Sequence, residues 1–231
     1  MHVYYDESRE YHDVRLHPYE PNAAEAAQAG FVDFKANPDH IPEVLEDFRP
    51  YAGEPAVQTF YQLLRWVNSP ESELESSDCL FRGPEPGSSA GTSSHALQAH
   101  GRLCLMFRHL PHNCQAESVD WLVSRLGGEL IAIDTELSSF EAVVGFSKSR
   151  TLFIDISTGT ATPDGEFESD EDDPAHGHQV MLWFWAFGDT EADVFANLDR
   201  IFANVWAALR GASEAIAEGH RAARQAAAQQ A

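Results

Sequence analysis

The chain has 231 residues, of which 37 are Asp or Glu and only 15 are Lys or Arg, leaving a formal charge of −22 at neutral pH. So negative a body repels phosphate backbones and anionic bilayers, which argues against direct nucleic-acid or membrane binding and for a cationic protein partner. With 43% apolar residues, including 14 Phe and 5 Trp, it is nonetheless rich enough to bury a core, and its length suits one domain spanning residues 1–231.

In chain order, Val3 to Tyr19 alternates enough to predict a peripheral strand, with Val14 and Leu16 on one face. Asn22 to Ala29 is Ala-rich and reads as a short helix stopped by Gly30. Ile41, Val44, Leu45 and Phe48 share one side of a short helix over Pro38 to Phe48. Val57, Phe60, Tyr61, Leu64 and Val67 make a fuller stripe over Glu54 to Val67, ended by Asn68-Ser-Pro70. Residues 69–94, with their acids, Gly83-Pro-Glu-Pro-Gly87 and a string of small residues, read as a flexible loop.

Ala99 to Leu110 carries Leu103, Leu105 and Phe107 on one side and Cys104 and Met106 on the other, the pattern of a strand buried on both faces. Glu117 to Leu126 is helical by its offsets, with Gly127-Gly128 as the expected stop. Ala142 to Phe146 and Thr151 to Ser157 read as two strands of a hairpin turned at Ser147-Lys-Ser-Arg150. A second flexible loop follows over 158–178, and Gln179 to Phe187 is a strand apolar enough to be central. Thr190 and Asp193 form a capping box for a long final helix with Val194, Leu198, Ile201, Val205 and Leu209 as its stripe; residues 212–231 form a helical or frayed tail. The predicted fold is α+β: a mainly antiparallel sheet of four to six strands packed against helices, with a long C-terminal helix.

Seven acids lie between Asp164 and Asp173: Asp164, Glu166, Glu168, Asp170, Glu171, Asp172 and Asp173. They make an anionic finger suited to a basic protein surface, while an EF-hand is excluded because the sixth and twelfth positions from Asp164 are Ser169 and Ala175. His176 and His178 are the alternative metal ligands, at a spacing that selects no particular site. His109 and His112 lie near Cys104 and Cys114 without zinc-finger spacing, and neither they nor His95 and His100 form HExxH. Gly145-Phe-Ser147-Lys-Ser149 departs from GxSxG, and neither a phosphate loop nor a GxGxxG fingerprint occurs. No catalytic residue is assigned and no cofactor is expected. Cys79, Cys104 and Cys114 contain no CxxC pair and read as reduced, structural thiols. The longest strongly apolar run, the eight residues Val180 to Phe187, falls far short of the roughly 20 needed to span a bilayer, so a cytoplasmic protein is expected.

Trp183, Trp185 and Phe187, with Met181, fall on one side of their strand, either as core or as aromatic anchors of a protein interface. With Gly177-His-Gln-Val-Met-Leu-Trp-Phe-Trp-Ala-Phe187 and the following helix as its ordered centre, the chain resembles the immunity proteins of bacterial toxin systems: compact, acidic and poor in motifs. The resemblance implies an inhibitor that neutralises a basic toxin or enzyme by direct binding, with the acidic finger, Trp183 and Trp185 as its contact residues. The alternatives are a metal-dependent hydrolase built on His and carboxylates, and a non-catalytic scaffold.

Overall fold

The structure, a computed structural model, describes residues 1–18, 32–87, 94–134, 141–154 and 176–230. Its strands β1 (His2–Pro18), β2 (Leu74–Pro86), β3 (Leu97–Phe107), β4 (Ala142–Ile154) and β5 (His176–Gly188) form one sheet in the order β1-β4-β5-β3-β2. β1 runs parallel to β4, and every other neighbouring pair is antiparallel. The helices are α1 (Ile41–Val44), α2 (Pro55–Val67), α3 (Ala116–Ile133) and α4 (Glu191–Gln230). The fold is therefore α+β, with the long C-terminal helix the sequence predicts.

α2 and α3 both pack against α4, and all three touch strands, so they form one layer on one face of the sheet. Strand alternation decides what meets them. Val144 and Phe146 of β4, Leu182, Phe184 and Ala186 of β5, and Leu103, Leu105 and Phe107 of β3 enter the core beneath Leu198, Ile201, Phe202 and Val205 of α4. A chain of rings then ties the layers together. Phe48 stacks on Phe60 of α2 at 4.7 Å and on Phe81 of β2 at 4.6 Å, and Phe202 of α4 meets Phe60 at 4.8 Å and Phe184 at 5.0 Å. Each such pair contributes about 1 kcal/mol beyond its area burial. Gly101 of β3 is required here, because a Cβ at that position would overlap the Leu80 carbonyl oxygen and the Phe184 ring.

β5 is central, as its apolar density predicts, and α4 starts with the expected capping box. Thr190 N–H and Oγ1 donate to Asp193 Oδ2 at 2.9 and 2.7 Å, and Asp193 N–H returns a bond to Thr190 Oγ1 at 3.2 Å. These bonds from Thr190 hold the Asp193 carboxyl below the usual carboxylate range. The predicted peripheral strand is β1, an edge. The proposed helix at 22–29 lies outside the described residues, as do 158–175 of the second loop, whose last residues, 176–178, begin β5.

Four expectations need correction. Leu74–Pro86, read within the loop 69–94, is strand β2. Register shifts between Ser76 and Asp78 and between Arg82 and Glu85 break its two-residue period, so the core-facing Leu74 and Phe81 fall on opposite parities and the alternation is hidden. α3 does not stop at Gly127-Gly128 but runs on to Ile133, because Gly127 and Leu130 are buried in the helical layer, which offsets the ~1 kcal/mol that a helical glycine costs. Ser147-Lys-Ser-Arg150 is no hairpin turn. β4 passes straight through it, pairing Ser147 with Met181 and Ser149 with Gln179. The helix over 38–48 is only the four-residue α1 between two 3-10 turns, since Leu45 leaves helical geometry at ψ 73°; Ile41, Leu45 and Phe48 are still buried, whereas Val44 is exposed.

At the far end of α3, Asp134 is a buried electrostatic knot. Its carboxylate accepts Arg200 Nε and Nη2, both at 2.7 Å, and Asn204 Nδ2 at 3.0 Å, while the Met1 ammonium stands 3.3 Å away. The Arg200 bonds hold its carboxyl below the usual range against the opposing effect of burial. The knot fixes α3 to α4 and to the start of β1.

Candidate functional site

The face of the sheet opposite the helices is unevenly covered. At one end Cys104, Met106, Gln179 and Met181, with Ser147 and Ser149, are buried apart from the main core cluster. Polar contacts stitch this end together: Ser77 Oγ donates to Gln179 Oε1 at 2.6 Å, and Lys35 Nζ meets the buried Glu75 carboxylate at 2.8 Å. Farther along β5 the cover thins. Trp183 and Trp185 are only partly buried, as are their register neighbours Arg102, His100 and Val143, and Tyr4 on β1 is 49% exposed.

The two indoles form a platform above Gly145 of β4. A Cβ on Gly145 would stand 3.7 Å from both the Trp183 and the Trp185 ring, at ordinary van der Waals contact, so both rings lie close over the neighbouring strand. Polar pairs border the platform on the β3 side. Arg102 Nε donates to Asp78 Oδ2 at 2.8 Å, and His100 Nδ1 lies 3.6 Å from Glu85.

Phe187 continues the Trp183–Trp185 row and lines a cavity of about 370 Å³ between the end of the sheet and the start of α4. Glu141, Asp189, Asp193, His95 and Asn197 share its walls. His95 Nδ1 stands 3.5 Å from Asp189, whose carboxylate also accepts the Ala96 N–H at 3.2 Å, and Asn197 Nδ2 donates to the Phe187 carbonyl at 2.9 Å. Three carboxylates, Glu141, Asp189 and Asp193, line this cavity at the start of α4, where the Asp193 N–H is bonded to Thr190 Oγ1, and their charge favours a cation. Aromatic platform and acidic cavity thus adjoin along one strand.

Of the residues singled out in the sequence, Trp183 and Trp185 stand on this face, and Phe187 and Met181 share it but are buried. Asp164, Glu166, Glu168, Asp170, Glu171, Asp172 and Asp173 lie outside the described residues. His176 opens β5 opposite Leu152, and His178 sits opposite Arg150 with its backbone N–H bonded to the Asn113 carbonyl at 2.7 Å. Among the described residues, no group of three or more His, Cys, Asp or Glu is placed to hold a metal ion. Glu141 and Asp189 escaped sequence reading because each is an isolated acid at the end of a strand, brought together only by the antiparallel pairing of β4 and β5.

None of the three cysteines forms a disulfide: Cys104 is buried, Cys79 partly buried and Cys114 exposed, so the last is a surface thiol rather than a packed one. Burial, reinforced by the adjacent Asp78 carboxylate, pushes the Cys79 thiol far above its ordinary value and keeps it protonated. No helix among the described residues is long and apolar enough to cross a membrane. Comparison with protein-family models, with curated proteins and with solved structures finds no match.

Proposed function

We propose that this chain is an acidic protein-binding module of the cytoplasm, an immunity or inhibitor protein that neutralises a basic toxin or enzyme by direct binding. The observation that carries this reading is the pair of partly exposed tryptophans, Trp183 and Trp185, side by side on the thinly covered part of the sheet in a chain of net charge −22. The two features do different work. Long-range attraction between the anionic body and a cationic partner raises the encounter rate, whereas burial of the indoles slows dissociation. Tryptophan suits the second role because it buries a large rigid area and keeps one polar N–H for a partner's acceptor. The acid-lined cavity beside Phe187 offers a Lys or Arg side chain of the same partner a place to enter. The acids from Asp164 to Asp173 add to the attraction without needing a fixed geometry.

The test is affinity capture from the native cell with the parent chain and with a Trp183→Ala/Trp185→Ala variant. The expected result is a basic protein held by the parent and weakened on the order of thirtyfold or more by the double substitution, as for the loss of one interface hot spot or more. Addition of the chain should suppress that protein's activity. A captured partner that is acidic, or one held equally by the variant, contradicts the reading.

A further inference from the structure

The histidines near the end of β3 acquire a third companion from far along the sequence. The 3-10 turn Leu110–His112 presents His112 to His220 of α4, with the two Nε2 atoms 3.2 Å apart and the rings nearly parallel at 12°. His109 completes a triangle, its ring centroid 5.0 Å from that of His112 and 6.1 Å from that of His220. The turn is held rigidly by its neighbour Asn113, fully buried, whose side chain bonds both the N–H and the carbonyl of Phe107 at 2.8 and 2.7 Å. On the other side, His220 Nδ1 lies 3.5 Å from Glu73 Oε2, and the Glu73 N–H donates to the buried Ser213 Oγ of α4 at 2.9 Å.

We propose that His112 and His220 form a two-point clasp for a divalent transition-metal ion, Zn²⁺ being the best match, with water filling the remaining positions. Tetrahedral zinc with Zn–N bonds of 2.0–2.1 Å requires ligand nitrogens about 3.3 Å apart, and the two Nε2 atoms already stand 3.2 Å apart. A carboxylate behind the outer nitrogen of a metal-bound imidazole is the usual orienting arrangement, and Glu73 stands in that place behind His220. The ion replaces the single proton that the two facing nitrogens otherwise share. It is a clasp rather than a cage, because only two ligands are preset and the third imidazole belongs to the exposed His109. Its effect is to staple the distal part of α4, which beyond Ile216 is mostly exposed and has few core contacts of its own, to the end of β3.

The direct test is long-range ¹H–¹⁵N NMR of the imidazole nitrogens in the unaltered full chain during titration with zinc chloride. The Nε2 signals of His112 and His220 should shift first and together, saturating at one ion per chain. By calorimetry, His112→Ala and His220→Ala should each weaken zinc on the order of tenfold or more, and Glu73→Gln by roughly tenfold, the usual effect of losing an orienting carboxylate. His40→Ala, at an exposed site elsewhere, should leave the affinity unchanged. Circular dichroism of each variant checks its fold, and the NMR titration needs no variant at all. Zinc that shifts other histidines first, or that binds as well after His112→Ala and His220→Ala, overturns the proposal.

Discussion

Replacing Asp134 by Asn should cost the protein about 3 kcal/mol at neutral pH, a change that keeps the side chain's shape and removes only its charge. Asp134 is 6% exposed and accepts two 2.7 Å bonds from Arg200 and one of 3.0 Å from Asn204, with the Met1 ammonium at 3.3 Å. An Asn there turns one acceptor into an N–H₂ group facing two cations and removes the Asp134 charge from beside the guanidinium. Breaking a buried pair from one side typically costs 3–5 kcal/mol, and the lower end applies because the Arg200 side chain is 27% exposed. For a chain of this size the loss corresponds to a fall in Tm of roughly 6–12 °C. The pH dependence follows from the direction of the shift. Because the folded state lowers the carboxyl's pKa, its contribution is complete above the unfolded value near 3.9 and is lost as pH falls through the folded value. Urea denaturation followed by circular dichroism should therefore find the parent more stable than Asp134→Asn at pH 7, with the gap closing below about pH 4. A gap under about 1 kcal/mol at pH 7, or one that persists undiminished in acid, refutes the reasoning.

Three further outcomes are expected. Phe184→Ala should destabilise by about 4 kcal/mol, because the ring is wholly buried against Phe202, whereas Trp183→Ala should cost less than half as much, its ring already meeting solvent; chemical denaturation of the two variants checks this. A disulfide reagent at mildly alkaline pH should modify the exposed Cys114 first, with Cys79 slow because its thiol stays protonated and Cys104 reacting only on unfolding, as peptide mapping over time would show. Converting the acids between Asp164 and Asp173 to amides should slow association with the basic partner by about tenfold at low salt while changing folding stability by no more than about 0.5 kcal/mol, measured by stopped-flow and thermal melting.

Elements that bury one regular face were legible in the sequence. α2 and α4 announced themselves by three- and four-residue spacing, and the capping box at Thr190 and Asp193 fixed where α4 starts. β5 was recognisable because large apolar side chains occupy both of its faces, the core residues on one and the tryptophan row on the other. What failed to show was whatever depends on a partner strand. β2 is an edge that carries the polar Glu75, Asp78 and Arg82, the first of them buried, and its bulges shift its parity, so it resembles a loop until β3 lies beside it. The polar run through the middle of β4 looked like a turn because Ser147 and Ser149 are buried polar residues, which only the register with Met181 and Gln179 reveals. The tryptophan platform was half legible: alternation put Trp183 and Trp185 on one side, but their place over Gly145 depends on the neighbouring strand. His112 and His220 are distant in sequence and meet only because α4 continues past the stretch where its apolar stripe fades.

The deciding measurement is of the association and dissociation rates of the captured partner, at low and at physiological ionic strength, for the parent and the Trp183→Ala/Trp185→Ala variant. An association rate that falls steeply with salt in both proteins, together with a dissociation rate raised only in the variant, is the predicted result. Association indifferent to salt, with dissociation indifferent to the loss of both indoles, would contradict the claim that charge brings the partner in and the sheet face holds it.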